Sequence, residues 1–150
     1  MKLLKMEKPQ CLLYSAAMVL DVEVERLIDY IGHSGLENIV TDSGTWVRGI
    51  SIQEIVDFAL LEMNRAIVTI NVFPVLGKQG IWYYPIYSDE LAEHRFRSYL
   101  REHDAILMEE NHAVAWNSET QQVYDPRGVI GPIRRIYRYQ IAHLVLPCHC

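Results

Sequence analysis

The sequence predicts an α+β fold in which helices come first and an antiparallel sheet follows. Apolar residues recur at helical spacing in the first part of the chain, and short runs rich in β-branched residues dominate the later part. No internal repeat, low-complexity tract or linker interrupts the 150 residues, so we expect one domain over residues 1–150.

Four segments show the helical pattern. The second is followed by Gly32, a suitable helix stop, and the third opens with Ser51 and Glu54, a capping-box pair. The predicted helices span residues 12–20, 24–31, 52–63 and 89–103. We expect a long loop over residues 35–49, because it is rich in Gly, Asp and Ser.

The β pattern begins at residue 66. Short apolar runs follow one another, and the polar tetrapeptide 117–120 fits a hairpin turn between two of them. The predicted strands span residues 66–73, 105–108, 113–117, 122–125, 133–137 and 143–146. Residues 77–87 contain four closely spaced aromatic side chains and are expected to form an aromatic loop.

Composition excludes several classes of protein. Half of the residues are hydrophobic and 22% are charged, which is typical of a globular chain. The net charge of −5 gives no general attraction to nucleic acid, and the basic cluster of Arg134, Arg135 and Arg138 is expected to be a solvated edge. There is no signal peptide pattern and no apolar run of about 20 residues, so no membrane association is expected.

The three cysteines are an odd number and are badly placed for a disulfide framework. They indicate a reducing, cytoplasmic compartment. The ending Cys148-His149-Cys150 has metal-ligand residue types but not ordinary zinc spacing, so we expect no metal site. No cofactor is expected either.

Three separated residues carry the chemistry. Cys11 lies where a Pro-containing stretch gives way to the first helix, and a helix N-terminus favours a thiolate. His112 opens a strand, and Asp125 ends the next strand of the predicted hairpin. In this order they can form a nucleophile, a base and an orienting carboxylate.

Each residue also has an ordinary structural explanation. A lone Cys at a helix start is often a small core residue, a His at the head of a strand is often structural, and an Asp before Pro often forms a turn. The joint occurrence of all three, in matching elements, favours the triad. His33 is expected to be structural or solvent-facing.

Several segments resemble the papain-like cysteine peptidases, and most closely the bacteriocin-leader-processing peptidases and the small stand-alone bacterial and phage proteins similar to them. The resemblance lies in residues 7–22, 32–35, 48–54 and 112–128 and covers nearly the whole chain. It implies a helical half that carries Cys11 and an antiparallel sheet that carries His112 and Asp125.

One position departs from that family's pattern. Such enzymes place a Gln six residues before the nucleophile, where its amide contributes to the oxyanion hole, but here Lys5 stands there with Met6 beside it. The nearest Gln is Gln10, our oxyanion candidate. Three explanations remain open: Gln10 substitutes, a local shift brings another donor, or the Cys11 backbone amide serves.

We therefore expect a cysteine hydrolase, a peptidase or isopeptidase that acts on a protein or peptide substrate through an acyl-thioester on Cys11. Two alternatives remain. The same acyl-enzyme could serve a deamidase, transglutaminase or acyltransferase, or the chain could be a catalytically weak binding module. The substrate and the oligomeric state are not predictable from the sequence.

Overall fold

The computed structural model describes residues 1–72 and 89–147, and within these residues it contains four α-helices and eight β-strands. The helices are α1 (Cys11–Leu20), α2 (Val24–Ile31), α3 (Ile52–Met63) and α4 (Asp89–Glu102). The strands are β1 (Asn38–Thr41), β2 (Gly44–Val47), β3 (Ile67–Asn71), β4 (Ala105–Met108), β5 (Ala113–Asn117), β6 (Gln122–Asp125), β7 (Val129–Gly131) and β8 (Ile141–Val145).

Six strands form one antiparallel sheet in the order β3-β8-β4-β5-β6-β7, while β1 and β2 form a separate hairpin. The predicted α+β class is confirmed. In the described part of the chain, no helix combines the length and apolar character needed to cross a bilayer.

Alternation of side chains along the strands gives the sheet two buried faces. On one face Ile106, Ala113 and Ala115 pack against α1, α2 and α3. On the other face Leu107 and Val114 belong to a second core that includes residues of α4. Among the described residues the sheet is therefore the middle layer, with α1, α2 and α3 on one face and α4 on the other.

Small side chains allow α1 to lie close to β5. Ala16 and Ala17 of the helix and Ala113 and Ala115 of the strand are all buried in the same core. With no bulky side chains between the two backbones, the N-terminus of α1 comes next to the beginning of β5. This packing brings Cys11 to the strand that follows His112.

The predicted helices are observed, with α1 beginning at Cys11 itself and α3 capped as expected. Ser51 and Glu54 form both hydrogen bonds of the capping box, and Gly32 ends α2 with a φ of 90°. Strands β4, β5 and β6 have the predicted bounds, and β3 and β8 differ by one or two residues at their ends.

Two element predictions are wrong. Residues 133–137 do not form a strand: a short 3₁₀ helix lies at Ile136–Arg138, and the extra strand β7 precedes it. Ile136 and Tyr139 are both buried, and their spacing of three suits this helical turn better than a strand. Pro132 lies between β7 and this 3₁₀ helix.

The predicted loop at residues 35–49 contains the hairpin β1–β2. Its turn residues Asp42 and Ser43 are flanked by β-branched residues, but all eight strand residues are exposed, so no buried alternation marks them. The predicted aromatic loop at residues 77–87 and the tail at residues 148–150 lie outside the described residues.

Candidate active site

Cys11 is the first residue of α1 and is half-buried. Gln10 occupies the N-cap position, but its side chain makes no capping hydrogen bond, and the first turn holds no acidic residue. The free amides at this helix end are therefore not neutralised by a side chain of the helix. Their partial positive charge is available to a thiolate at Cys11.

The second part of the site is the pair His112 and Asp125. Nε2 of His112 lies 2.9 Å from Oδ1 of Asp125. The His112 side chain is 7% exposed and the Asp125 side chain 22%, so the carboxylate is the member of the pair that reaches water. Because a carboxylate accepts, the proton of the neutral imidazole lies on Nε2, and Nδ1 remains for the thiol.

Local backbone contacts hold both residues. The amide of Glu109 donates to the carbonyl of His112 at 2.8 Å, just before β5 begins. The amide of Arg127 donates to Oδ1 of Asp125 at 2.8 Å, and the amide of Gly128 donates to the Asp125 carbonyl at 2.8 Å. Asp125 therefore orients a ring and closes a turn with the same carboxylate.

Electrostatics favours an ion pair between the thiol and the imidazole. A hydrogen bond with His112 lowers the pKa of Cys11 against the opposing effect of burial, and the amides of Ala113 and Leu12 lower it further. The hydrogen bond with Cys11 raises the pKa of His112 against the opposing effect of burial, and Asp125 raises it further. The two shifts favour a thiolate beside an imidazolium.

The oxyanion candidate Gln10 has a defined role in the loop beside Cys11. Its Nε2 donates to the carbonyl of Ser34 at 2.8 Å, which leaves one amide hydrogen. Gln10 and Cys11 both line a cavity of about 190 Å³. The backbone amide of Cys11 makes no hydrogen bond with any residue in 1–72 and 89–147.

Lys5 lies at the position where the resemblance calls for Gln. Its alkyl chain packs beside Gly128, where an added Cβ would lie 3.2 Å from Lys5 Cδ. The next residue, Met6, donates its amide to the carbonyl of Pro126 at 2.8 Å. The segment before Cys11 thus runs beside the loop that follows Asp125.

The opposite wall of the small cavity was not assigned by sequence reasoning. It is formed by the loop at residues 34–35 and by residues 49–50. Gly35 has a φ of +78°, and a Cβ there would lie 2.8 Å from Cγ1 of Ile50. The sequence shows a glycine between Ser34 and Leu36, but it does not show the contact of that glycine with Ile50.

His33 fixes this wall. Its Nδ1 accepts the amide of Gly35 at 3.1 Å, and its Nε2 lies 2.7 Å from Oε1 of Glu54. These bonds place the proton on Nε2 and tie the loop to the N-terminus of α3. His33 is buried and structural, so it is not solvent-facing.

Among the described residues, no group of three His, Cys, Asp or Glu side chains is placed to hold a metal ion. Comparison with family models, curated proteins and solved structures found no match. The arrangement of Cys11, His112 and Asp125 is thus the observation from which function must be argued.

Proposed function

We propose that this chain is a cysteine hydrolase of papain-like fold that cleaves peptide or isopeptide bonds through an acyl-thioester on Cys11. The observation that carries the proposal is the His112–Asp125 contact at 2.9 Å, with Cys11 close enough to His112 for each residue to shift the pKa of the other. A helix that presents the thiol and a sheet that presents the other two residues agree with the papain-like resemblance of the sequence.

The chemistry proceeds in two halves. The Cys11 thiolate attacks the carbonyl carbon, and the imidazolium of His112 gives its proton to the departing amine as the carbon–nitrogen bond breaks. Water then attacks the thioester while His112 takes its proton, and the thiolate leaves. Asp125 stabilises the imidazolium and keeps Nδ1 directed at the sulfur.

Two groups are suited to bind the oxyanion. The backbone amide of Cys11 is free among the described residues, and the second amide hydrogen of Gln10 is not used by Ser34. Both residues border the cavity beside the sulfur. In this arrangement Gln10 replaces the side chain that the family places six residues before the nucleophile.

A catalytically weak binding module is the second candidate, and the observation that favours it is Lys5. An alkylammonium side chain that packs on Gly128 supplies no neutral amide donor. Loss of one oxyanion donor costs about 10²–10³ in rate in a well-studied protease. The two candidates differ in whether Gln10 and the Cys11 amide bind the oxyanion well enough to replace the missing donor.

The test uses p-nitrophenyl acetate, an activated ester that makes little demand on specificity. The proposal predicts a burst of p-nitrophenol matched by an acetyl group on Cys11, followed by slow turnover. His112→Gln should reduce acylation by about 10²–10⁴-fold. His94→Gln, a change at an exposed helix position, is the matched control and should acylate normally.

Absence of the adduct, or equal rates in the His112→Gln protein and its parent, would contradict a hydrolase. A folded protein with an unacylated Cys11 would favour the binding module. Repetition with an added amine separates hydrolysis from acyl transfer, because only a transferase would send most of the acetyl group to the amine.

A further inference from the structure

A second cavity, of about 290 Å³, borders the Asp125 side of the candidate triad. Three arginines line it: Arg127, Arg134 and Arg138. We call it the arginine cavity. The sequence predicted Arg134, Arg135 and Arg138 to be a solvated edge. In the structure Arg134 and Arg138 line the cavity together with Arg127, and Arg135 does not.

The carboxylates of Glu109 and Asp125 line the cavity together with the three arginines, so its lining has an excess of positive charge in a chain whose net charge is −5. Arg138 forms an ion pair with Glu109, with a nitrogen–oxygen distance of 2.8 Å. The carboxylate of Asp125 is hydrogen-bonded to Nε2 of His112 at 2.9 Å. Arg127 and Arg134 form no ion pair with any residue of the described ranges 1–72 and 89–147. These two guanidinium groups are exposed and have no counter-ion in the part of the chain that the structure describes.

The arginine cavity is connected to the chemistry through short contacts. The amide of Arg127 donates to Oδ1 of Asp125, and the same oxygen faces Nε2 of His112. The positive charge of Arg127 is close enough to oppose protonation of His112. Cys11, His112, Asp125 and Arg127 are thus successive neighbours.

The direction of a bound substrate follows from proton transfer. His112 must protonate the departing amine, so the part of the substrate that leaves lies on the His112 side of Cys11. An extended chain advances about 3.3 Å per residue, and a few residues carry it past His112 and Asp125. Asp125 itself lines the arginine cavity, so a substrate segment that passes Asp125 reaches this cavity.

The rest of the lining suits a peptide better than a small ion. Val129, Ile130 and Pro132 border the cavity, and Val129 and Ile130 are 62% and 43% exposed. Apolar surface beside guanidinium groups matches a segment in which carboxylate and aliphatic side chains are mixed.

We propose that the arginine cavity binds acidic side chains in the substrate segment that follows the scissile bond, with Arg127 and Arg134 as the carboxylate-binding residues. Placement of this segment after a cleaved bond rests on the proposed hydrolase function, whereas binding of an acidic peptide does not. The proposal assigns a substrate class to the site: a protein or peptide with an acidic stretch on the leaving-group side.

The binding test uses the Cys11→Ala protein, so that its outcome is independent of turnover. A fluorescein-labelled peptide of alternating Glu and Ala residues is compared with its Gln-Ala counterpart by fluorescence polarisation at low salt. We expect the Glu peptide to bind about tenfold more tightly, since two exposed ion pairs supply roughly that factor. The preference should weaken as salt screens the charges.

The Arg127→Gln/Arg134→Gln variant should bind the two peptides equally. Lys2→Gln/Arg26→Gln makes the same change in net charge at exposed positions outside the cavity and should keep the preference. Equal binding of the peptides by the parent, or a preference that survives in the cavity variant, would overturn the proposal. Tighter binding of a single-stranded oligonucleotide would overturn it in favour of nucleic acid.

A second measurement locates the peptide in a protein with Cys11 intact. The Glu peptide should slow the alkylation of Cys11 by iodoacetamide in the parent and not in the cavity variant. Binding without protection of Cys11 would remove the arginine cavity from the substrate path. If the acylation test fails while the Glu preference persists, the hydrolase is wrong and the acidic-peptide site stands.

Discussion

Oδ1 of Asp125 lies 2.9 Å from Nε2 of His112 and accepts the amide of Arg127 at 2.8 Å. One carboxylate oxygen thus orients the imidazole and holds the turn after β6. The turn is part of the molecule's framework, so the carboxylate has little freedom to leave the ring. This arrangement gives His112 a fixed tautomer before any substrate binds.

Asp125→Asn should weaken the reactivity of Cys11 while it preserves the fold. The amide oxygen can still accept from Arg127, but the negative charge that raises the pKa of His112 is lost. We expect the alkylation rate at pH 6 to fall about tenfold or more, because the imidazolium that pairs with the thiolate is less stable. The measurement is the iodoacetamide rate at Cys11 by mass spectrometry.

Glu119→Gln is the control for that change. Glu119 is an exposed carboxylate in the turn between β5 and β6, so its loss alters the net charge equally without touching His112. An Asp125→Asn protein that labels as fast as Glu119→Gln would show that the carboxylate does not stabilise the imidazolium.

Glu54→Gln should destabilise the protein at neutral pH and not in acid. Burial opposes ionisation of Glu54, but hydrogen bonds from His33 and Ser51 outweigh it and lower the pKa. A carboxyl group with a lowered pKa stabilises the fold above its unfolded value and loses that effect as pH falls through the folded one. We expect a loss of about 1 kcal/mol at pH 7, measured by urea unfolding.

Glu62→Gln, at an exposed position of the same helix, should leave the stability nearly unchanged at both pH values. A Glu54→Gln penalty that is equally large at pH 3 would contradict a charge-dependent contribution.

Gly35→Ala should be more damaging than Gly32→Ala. Both glycines have positive φ, +78° and +90°, so both substitutions place a side chain in the left-handed region. Only at Gly35 would the new Cβ meet a neighbour, 2.8 Å from Cγ1 of Ile50, whereas Gly32 has open space. The extra cost should be about 1–3 kcal/mol in the free energy of unfolding.

The difference between the Gly35→Ala and Gly32→Ala penalties measures the cost of the contact with Ile50, because backbone strain is common to both variants. Equal penalties for the two variants would show that the loop beside Cys11 yields to the added methyl group. In that case the wall of the small cavity is less rigid than the His33 contacts imply.

His143 should make the protein sensitive to mild acid. It is buried in the sheet with Nδ1 2.8 Å from Oγ1 of Thr69, and burial lowers its pKa to about 4. Between the ordinary His pKa and this value the unfolded chain binds a proton that the folded one does not. Stability should therefore fall by about 2 kcal/mol between pH 7 and pH 5 from this residue.

His143→Asn removes the titrating group. The stability of this variant should therefore change less between pH 7 and pH 5 than that of the parent, even if the two differ in stability at pH 7. His94→Asn, at an exposed position of α4, should retain the acid loss. Parallel pH curves for His143→Asn and the parent would exclude His143 as the cause.

The sequence predicted the elements of the site better than their exact contacts. Cys11, His112 and Asp125 could be found because each stands at the end of a periodic segment. In the β5–β6 hairpin Ala115 pairs with Tyr124, so the same register places Asp125 opposite Val114, two residues short of the position opposite His112. The two side chains meet diagonally, a relation that depends on strand twist and turn length.

Contacts between distant segments were beyond the sequence. His33 and Glu54 are 21 positions apart, and Arg127 joins Arg134 only because β7 folds back on β6. Local periodicity contains no information on which loops meet. The β1–β2 hairpin was missed for a related reason, since an exposed strand has no buried face to give it a period of two.

The thiolate–imidazolium pair is the central claim, and the rate of Cys11 alkylation by iodoacetamide across pH tests it most directly. The account predicts that Cys11 labels rapidly at pH 6, well below the ordinary pKa of a thiol, and that His112→Gln abolishes this advantage. Cys148 and Cys150 serve as references in the same chain. Labelling of Cys11 at pH 6 no faster than that of Cys148 and Cys150 would contradict it.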